Sequence, residues 1–266
     1  MDRRDFLTGA AGAGLGALAL GALPAAAAHH EAAASDSERA LQELRDAIEG
    51  FEERFASEFN LRSETEFAEG RRAILHHLHH GIEAWLDSDP ARPVFKRFVT
   101  PEKKMLGDNP DAVYFTTAID PTGTFRIRGN LADATYTSFT VEQGTAGGAN
   151  ATGLGATLND TEFEAAADGS YEIVVSAAPH EGNWLRLDPE AGSITTRHYY
   201  EREISIATDR LHHVPITIEP AKDPGPAAPP TDASIAAGIR SVTRFVTSTL
   251  NPPTPERTPA WGSLVP

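Results

Sequence analysis

Hydrophobic positions recur along this chain with two different periods. Leu41, Leu44, Ile48, Phe51, Phe55 and Phe59 follow one another at three- and four-residue steps, with Glu43, Arg45, Glu49 and Glu53 between them. That spacing predicts an amphipathic helix, with Asp36 or Ser37 as its cap. Ser63-Glu64-Thr65-Glu66 has the form of a capping box. It opens a second helix through Phe67, Ile74, Leu75, Leu78, Ile82, Trp85 and Leu86, closed by Asp87-Ser88-Asp89-Pro90. From Ala112 the period drops to two. Residues 113–119, the turn Pro121-Thr122-Gly123 and residues 124–128 read as a β-hairpin. Further strands are expected at 135–141, 171–176, 184–187, 194–200, 203–206 and 214–218. After a stiff proline-rich stretch at 223–230, Ile235, Ile239, Val242, Val246 and Leu250 share one face of a last helix. It starts at Thr231 or Asp232 and is stopped by Asn251-Pro252-Pro253; the tail that carries Trp261 has no regular pattern.

Many short strands without strand–helix alternation argue against a doubly wound parallel sheet. The expected fold class is α+β, mainly β: an antiparallel jelly-roll-like sandwich with an N-terminal helical hairpin and a C-terminal helix. The divisions are a flexible lead-in at 29–37, a helical segment at 38–89 packed on the β domain, the β domain at 90–222, and the linker, helix and tail at 223–266.

The first 28 residues read as an address. Arg3-Arg4-Asp5-Phe6-Leu7 precedes an apolar run from Gly9 to Leu23, then Pro24 and four alanines. This is the pattern of a twin-arginine secretory signal with a small-residue cleavage site. The apolar run is shorter than the about 20 residues of a spanning helix. The expectation is an exported protein, periplasmic or extracellular, handled by the twin-arginine machinery and without stable membrane insertion after cleavage.

Composition narrows the chemistry. The net charge of the chain is −15, and the signal removes two arginines and two aspartates, leaving that balance unchanged. Clustered Lys and Arg are absent, which argues against nucleic acid as a partner. With no cysteine, disulfides, thiolate nucleophiles and sulfur-ligated zinc are closed. G-x-S-x-G and H-E-x-x-H are also missing.

His76-His77-Leu78-His79-His80 could chelate a metal through His76 and His80, but helical spacing puts these two opposite Ile74, Leu75 and Leu78, so a solvated helix face is expected. His77, His79 and Glu83 echo a cupin ligand pattern, which belongs on strands rather than on a helix. His180, His198 and His212-His213 are not spaced so as to demand a metal. No metal and no cofactor are therefore assigned. The glycine-rich run 144–155 lacks the Lys-Ser/Thr end of a phosphate loop and reads as a mobile connection between strands, able to cover a pocket.

Polar and aromatic residues mix within the strands at Asn109-Pro110-Asp111, Tyr114, Arg126, Arg128, Asn183-Trp184 and Arg197-His198-Tyr199. Arg126 and Arg128 face one way on a strand and could grip a carboxylate or sulfate, or else pair with acidic residues on an outer face. In a ligand-binding reading, Asn109, Tyr114, Arg128, Trp184 and Tyr199 contact a small polar or glycan-like molecule. In a hydrolase or lyase reading, Asp111 is the acid or base and Arg126 or Arg197 stabilises an anion. A cell-envelope interaction protein is the third possibility.

These residues fall in ordered motifs. They are Gly107-Asp108-Asn109-Pro110-Asp111-Ala112-Val113-Tyr114, Phe125-Arg126-Ile127-Arg128-Gly129, Tyr136-Thr137-Ser138-Phe139-Thr140-Val141, Leu158-Asn159-Asp160, Gly182-Asn183-Trp184-Leu185-Arg186-Leu187 and Arg197-His198-Tyr199-Tyr200-Glu201-Arg202-Glu203. Over residues 105–218 the chain resembles the family catalogued as domain of unknown function 1214. The resemblance implies a jelly-roll-like β domain, often in exported bacterial proteins and sometimes behind a partner domain, in whose place residues 36–86 would stand. It implies no established activity and no catalytic residues.

Overall fold

The computed structural model of this 266-residue chain describes residues 34–58, 61–105 and 107–250. The expected signal, most of the lead-in, the side chain of Phe55, Phe59, the Asn251-Pro252-Pro253 stop and the tail with Trp261 lie outside the described residues. Among the described residues no helix is long and apolar enough to cross a membrane.

Three helices form one layer. Helix α1 spans Asp36–Glu58, α2 spans Glu64–Gly81 and α3 spans Asp232–Leu250. The capping box closes as its sequence requires: Ser63 Oγ accepts from Glu66 N at 3.2 Å, and the Glu66 carboxylate accepts from Ser63 N at 2.8 Å. Asp232 Oδ2 accepts from the backbone N–H of Asp36 at 2.9 Å, and Arg240 pairs with Asp36 at 2.8 Å and Glu43 at 3.0 Å. These pairs put the starts of α1 and α3 side by side, so the two helices run the same way. Phe51, Ile74, Met105, Val242, Phe245 and Val246 form a buried apolar cluster in this layer.

The remainder is an open sandwich of two mostly antiparallel sheets. The strands are β1 Lys96–Arg97, β2 Ala112–Ala118, β3 Thr124–Asn130, β4 Tyr136–Gln143, β5 Gly153–Asn159, β6 Ser170–Ser176, β7 Trp184–Arg186, β8 Ala191–Tyr199 and β9 Ile216–Pro220. One sheet has the order β1-β2-β8-β4-β5 and the other β7-β6-β3-β9. Among the described residues only β6 and β7 pair in parallel. Alternation sends Phe139, Val141 and Ile194 from the first sheet against Phe125, Ile127, Ile173 and Val175 from the second, which makes the sandwich interior.

Three expectations are corrected. The turn at 119–123 does not close a hairpin, because β2 belongs to the five-stranded sheet and β3 to the four-stranded one. Turn chemistry fixes the reversal, with Asp120 Oδ1 accepting from Thr122 N at 2.9 Å, but not which strand is the partner. No strand forms at 203–206: residues 203–205 are irregular and lead into a short 3₁₀ turn at Ile206–Thr208. The glycine-rich run ends in β5, and its first part is pinned to α3: Arg244 Nη1 donates to the Gly147 carbonyl at 2.6 Å and Asn150 Nδ2 to the Ser248 carbonyl at 2.7 Å.

Candidate functional site

The same alternation that fills the sandwich interior gives the five-stranded sheet a second, polar face. Strand register sets Tyr114 level with Arg197 on β8 and Arg197 level with Ser138 on β4. One row along, Tyr199 stands level with Tyr136, their rings 5.7 Å apart and edge to face. In the other direction Thr116, Thr195 and Thr140 form the next row, and Ser193 with Glu142 the one after.

At the open end of this face Arg197 is half-buried and donates from Nη1 to Thr140 Oγ1 at 3.2 Å. Among the described residues no carboxylate pairs with it. Burial first, and then the neighbouring Tyr199 hydroxyl, push the Tyr114 hydroxyl above its ordinary pKa; the backbone N–H of Asn109 and the charge of Arg197 oppose them. Asn109 N donates to Tyr114 Oη at 3.2 Å, and Asn109 Oδ1 accepts from Asp111 N at 2.8 Å. That turn is held by its own hydrogen bonds and lays Asn109 beside the tyrosine.

The sequence-predicted residues therefore separate into two groups. Asn109, Tyr114, Arg197 and Tyr199 come together, with Asp111 exposed on the adjoining turn. Arg126, Arg128 and Trp184 lie on the outer face of the other sheet, where Trp184 stands level with Val174 and Val174 with Arg126. Two sheets about 10 Å apart intervene, so Asp111 and Arg126 cannot act on one substrate atom. Arg128 does not offer free cationic forks either. Glu172 accepts from it at 2.8 Å and from Arg126 at 3.3 Å, and Glu219 pairs with Arg128 as well. Trp184 Nε1 is satisfied by the Ser176 carbonyl at 3.1 Å. Of the two readings open in the sequence, the outer face paired with acidic residues is the one present.

The histidine helix also differs from expectation. His77 is 6% and His80 3% exposed, while Leu75 is 60% exposed. The buried stripe is Ile74, His77, His80, Gly81 and Ala84, rotated by roughly a quarter-turn from the one expected. The reason is tertiary. The His80 ring packs edge-on to Phe98 with centroids 4.2 Å apart and lies 5.1 Å from Phe245 on α3, and the helix continues as a π-helical turn over Ile82–Leu86 that shifts the phase of Trp85. Burial, and next the charge of Lys103, lower the His80 pKa to about 3. The Lys103 ammonium is itself buried and paired with Glu83. Among the described residues no group of three or more His, Asp or Glu side chains could hold a metal ion.

The helical layer covers the other half of the polar face. Beneath it lies a cavity of about 160 Å³, lined from above by His80, Trp85 and Phe245 and from below by Thr116, Ser193 and Thr195. Sequence reasoning missed this part, although the glycine-rich run, considered as a cover, supplies Thr145 and Asn150 to its rim.

No family model matches the sequence, and no curated protein matches it. A crystal structure of an uncharacterised protein from Burkholderia cenocepacia superposes with a TM-score of 0.71 at 24% identity, over 80% of this chain and 58% of that one. The likeness is one of fold. This chain spans little more than half of that protein's length. The VPA0106 protein from Vibrio parahaemolyticus gives a TM-score of 0.37 at 14% identity, over 66% and 52% of the two chains, and carries no argument.

Proposed function

We propose that this chain is a binding module for a small anionic polar ligand of acidic-sugar type, seated on Arg197 between Tyr114, Tyr136 and Tyr199. The observation that carries the reading is a half-buried guanidinium without a carboxylate partner among the described residues, on a sheet face flanked by three tyrosines. A guanidinium binds a carboxylate bidentately, and aromatic rings with polar tips suit the apolar and hydroxyl faces of a sugar. The exposed turn position of Asp111 gives it no sheltered acid–base role, which favours binding over chemistry. The twin-arginine reading of residues 1–28 supports a ligand met outside the cytoplasm. The ordered motifs of residues 105–218 support a place in the domain of unknown function 1214 family.

Calorimetric titration with uronic-acid oligomers and with neutral oligomers of equal length tests the reading. The acidic series should bind and the neutral series bind more weakly. Arg197→Ala should weaken the acidic series about 10- to 100-fold, the value of a charged hydrogen-bonded pair. Arg197→Lys should recover only part of that, because a point charge cannot form the two-pronged contact. Equal binding of both series, or an unchanged affinity in Arg197→Ala, would remove the proposal.

A further inference from the structure

A second cavity, of about 550 Å³, lies where the helical layer, the five-stranded sheet and the proline-rich stretch converge. Its floor is Ala118 and Ile119, at the opposite end of β2 from Tyr114. Trp85 and Leu86 of the π-helical turn, Ile235 of α3 and Pro230 make its walls. A Cβ on Gly238 would lie 2.6 Å from Leu86 Cδ1, so the absent side chain is what lets α3 pass this close to the turn. The proline-rich stretch is tied down as well, because Arg92 donates to the Gly225 carbonyl and pairs with Asp89. These fixed walls enclose a space within the about 300–1,000 Å³ of small-molecule sites.

What the walls offer is hydrocarbon. Ser88 Oγ donates to the Ala84 carbonyl at 2.6 Å, Ser234 Oγ to that of Thr231 at 3.0 Å and Ser241 Oγ to that of Ala237 at 3.0 Å. Each lining hydroxyl has therefore spent its one hydrogen on a carbonyl close by in the chain. Among the described residues Asp89 is the one lining side chain with a charge, and Arg92 neutralises it. From this arrangement we infer a second ligand site, separate from the Arg197 face, that takes a small uncharged apolar compound with an aromatic or alicyclic body. An anion would meet no lining cation, and a chain of net charge −15 repels it further. A cation would have to compete with Arg92 for Asp89, and a polyol would find no lining hydroxyl with a hydrogen left to give. An apolar body instead gains by leaving water for Trp85, Leu86, Ile119 and Ile235. The glycine-rich run, read in the sequence as able to cover a pocket, supplies Ala146 and Gly147 to the wall. The inference does not rest on the acidic-sugar reading, and an uncharged probe tests it without engaging Arg197.

Fluorescence titration of the full chain with N-phenyl-1-naphthylamine, an uncharged probe, should saturate at one molecule per chain. The same skeleton carrying a sulfonate, 8-anilinonaphthalene-1-sulfonate, should displace it only at about 10-fold or higher excess. Ala237→Phe puts a ring into the space from an exposed helix position, and should weaken binding of the uncharged probe at least 10-fold. Ile235→Asp sets a charge on the wall in the first turn of α3, where an acid is compatible with the helix, and should weaken it by a similar factor. A cooperative urea transition verifies that each variant is folded. Three results would overturn the inference: a titration that does not saturate at one molecule per chain, displacement by the sulfonate as easily as by the uncharged compound itself, or unchanged affinity in both folded variants.

Discussion

His198 stands on β8 inside the sandwich, with Thr196 Oγ1 3.0 Å from Nε2 and Thr137 Oγ1 3.4 Å from Nδ1. A neutral imidazole has one donor and one acceptor, and rotating hydroxyls serve either. Burial, and next the nearby His212, lower its pKa from 6.5 to about 4; His80 is lowered to about 3. Both groups bind their protons more weakly folded than unfolded. The unfolded chain therefore takes up protons first as pH falls below about 6.5, and stability declines from there toward pH 3. Urea midpoints measured from pH 7.5 to 4 should drop through this window, and His198→Gln should flatten part of the slope. A pH-independent midpoint would contradict these burials. The residue scale is also where sequence and structure diverge most. Two-residue alternation correctly put Arg126 and Arg128 on one face. Their partners Glu172 and Glu219 come from β6 and β9, at separations no local pattern reports.

At the scale of elements, the connection from β4 to β5 shows how a glycine-rich loop can be held in place. Gly148 has φ +86°, a region that disfavours side chains, and a Cβ there would overlap the Ser241 carbonyl on α3. Gly148→Ala should cost about 2 kcal/mol or more in denaturant unfolding, by strain and by separating loop from helix. Gly182→Ala supplies the comparison, because its φ is also positive, +79°, but nothing lies near its absent Cβ. It should cost less. Elements with self-contained signals were legible in sequence: the Ser63–Glu66 box, the apolar stripe of α3, and the β-branched runs of β6 and β8. Strand β5 was not, since Gly153-Leu154-Gly155-Ala156 has no β-branched residue and owes its place to pairing with β4. The π-helical turn was equally hidden, and with it the burial of His77 and His80, because packing against Phe98 and α3 decides which side of α2 turns inward. Of the candidate site, mixed aromatic and polar strands single out Tyr114, Arg197 and Tyr199, but group the tyrosines with Arg128 and Trp184 and give Arg197 to a different reading, because sequence does not report which strands share a sheet. The cavity beneath the helical layer could not be read.

Across the whole molecule, apolar residues gather in separate groups. The sandwich has its interior, the helices have theirs, and a smaller group gathers Val113, Tyr200, Ile206 and Val214. The exposed proline-rich stretch before α3 ties the last helix to the sheets by sequence, but α3 is held by α1, α2 and the β4–β5 connection. A protease site inserted between Asp223 and Pro230 should be cut without loss of α3, which should co-elute with the rest on size-exclusion chromatography under native conditions. Separation of the two pieces would mean that the chain link, rather than packing, keeps the helix in place.

Between helices and sheet, the facing surface divides: Ala118 and Ile119 face Trp85 and Leu86 in one part, and the hydroxyls of Thr116, Ser193 and Thr195 lie under His80 and Phe245 in the other. Adhesion across the hydroxyl part depends on a few directional contacts instead of on a fitted relief.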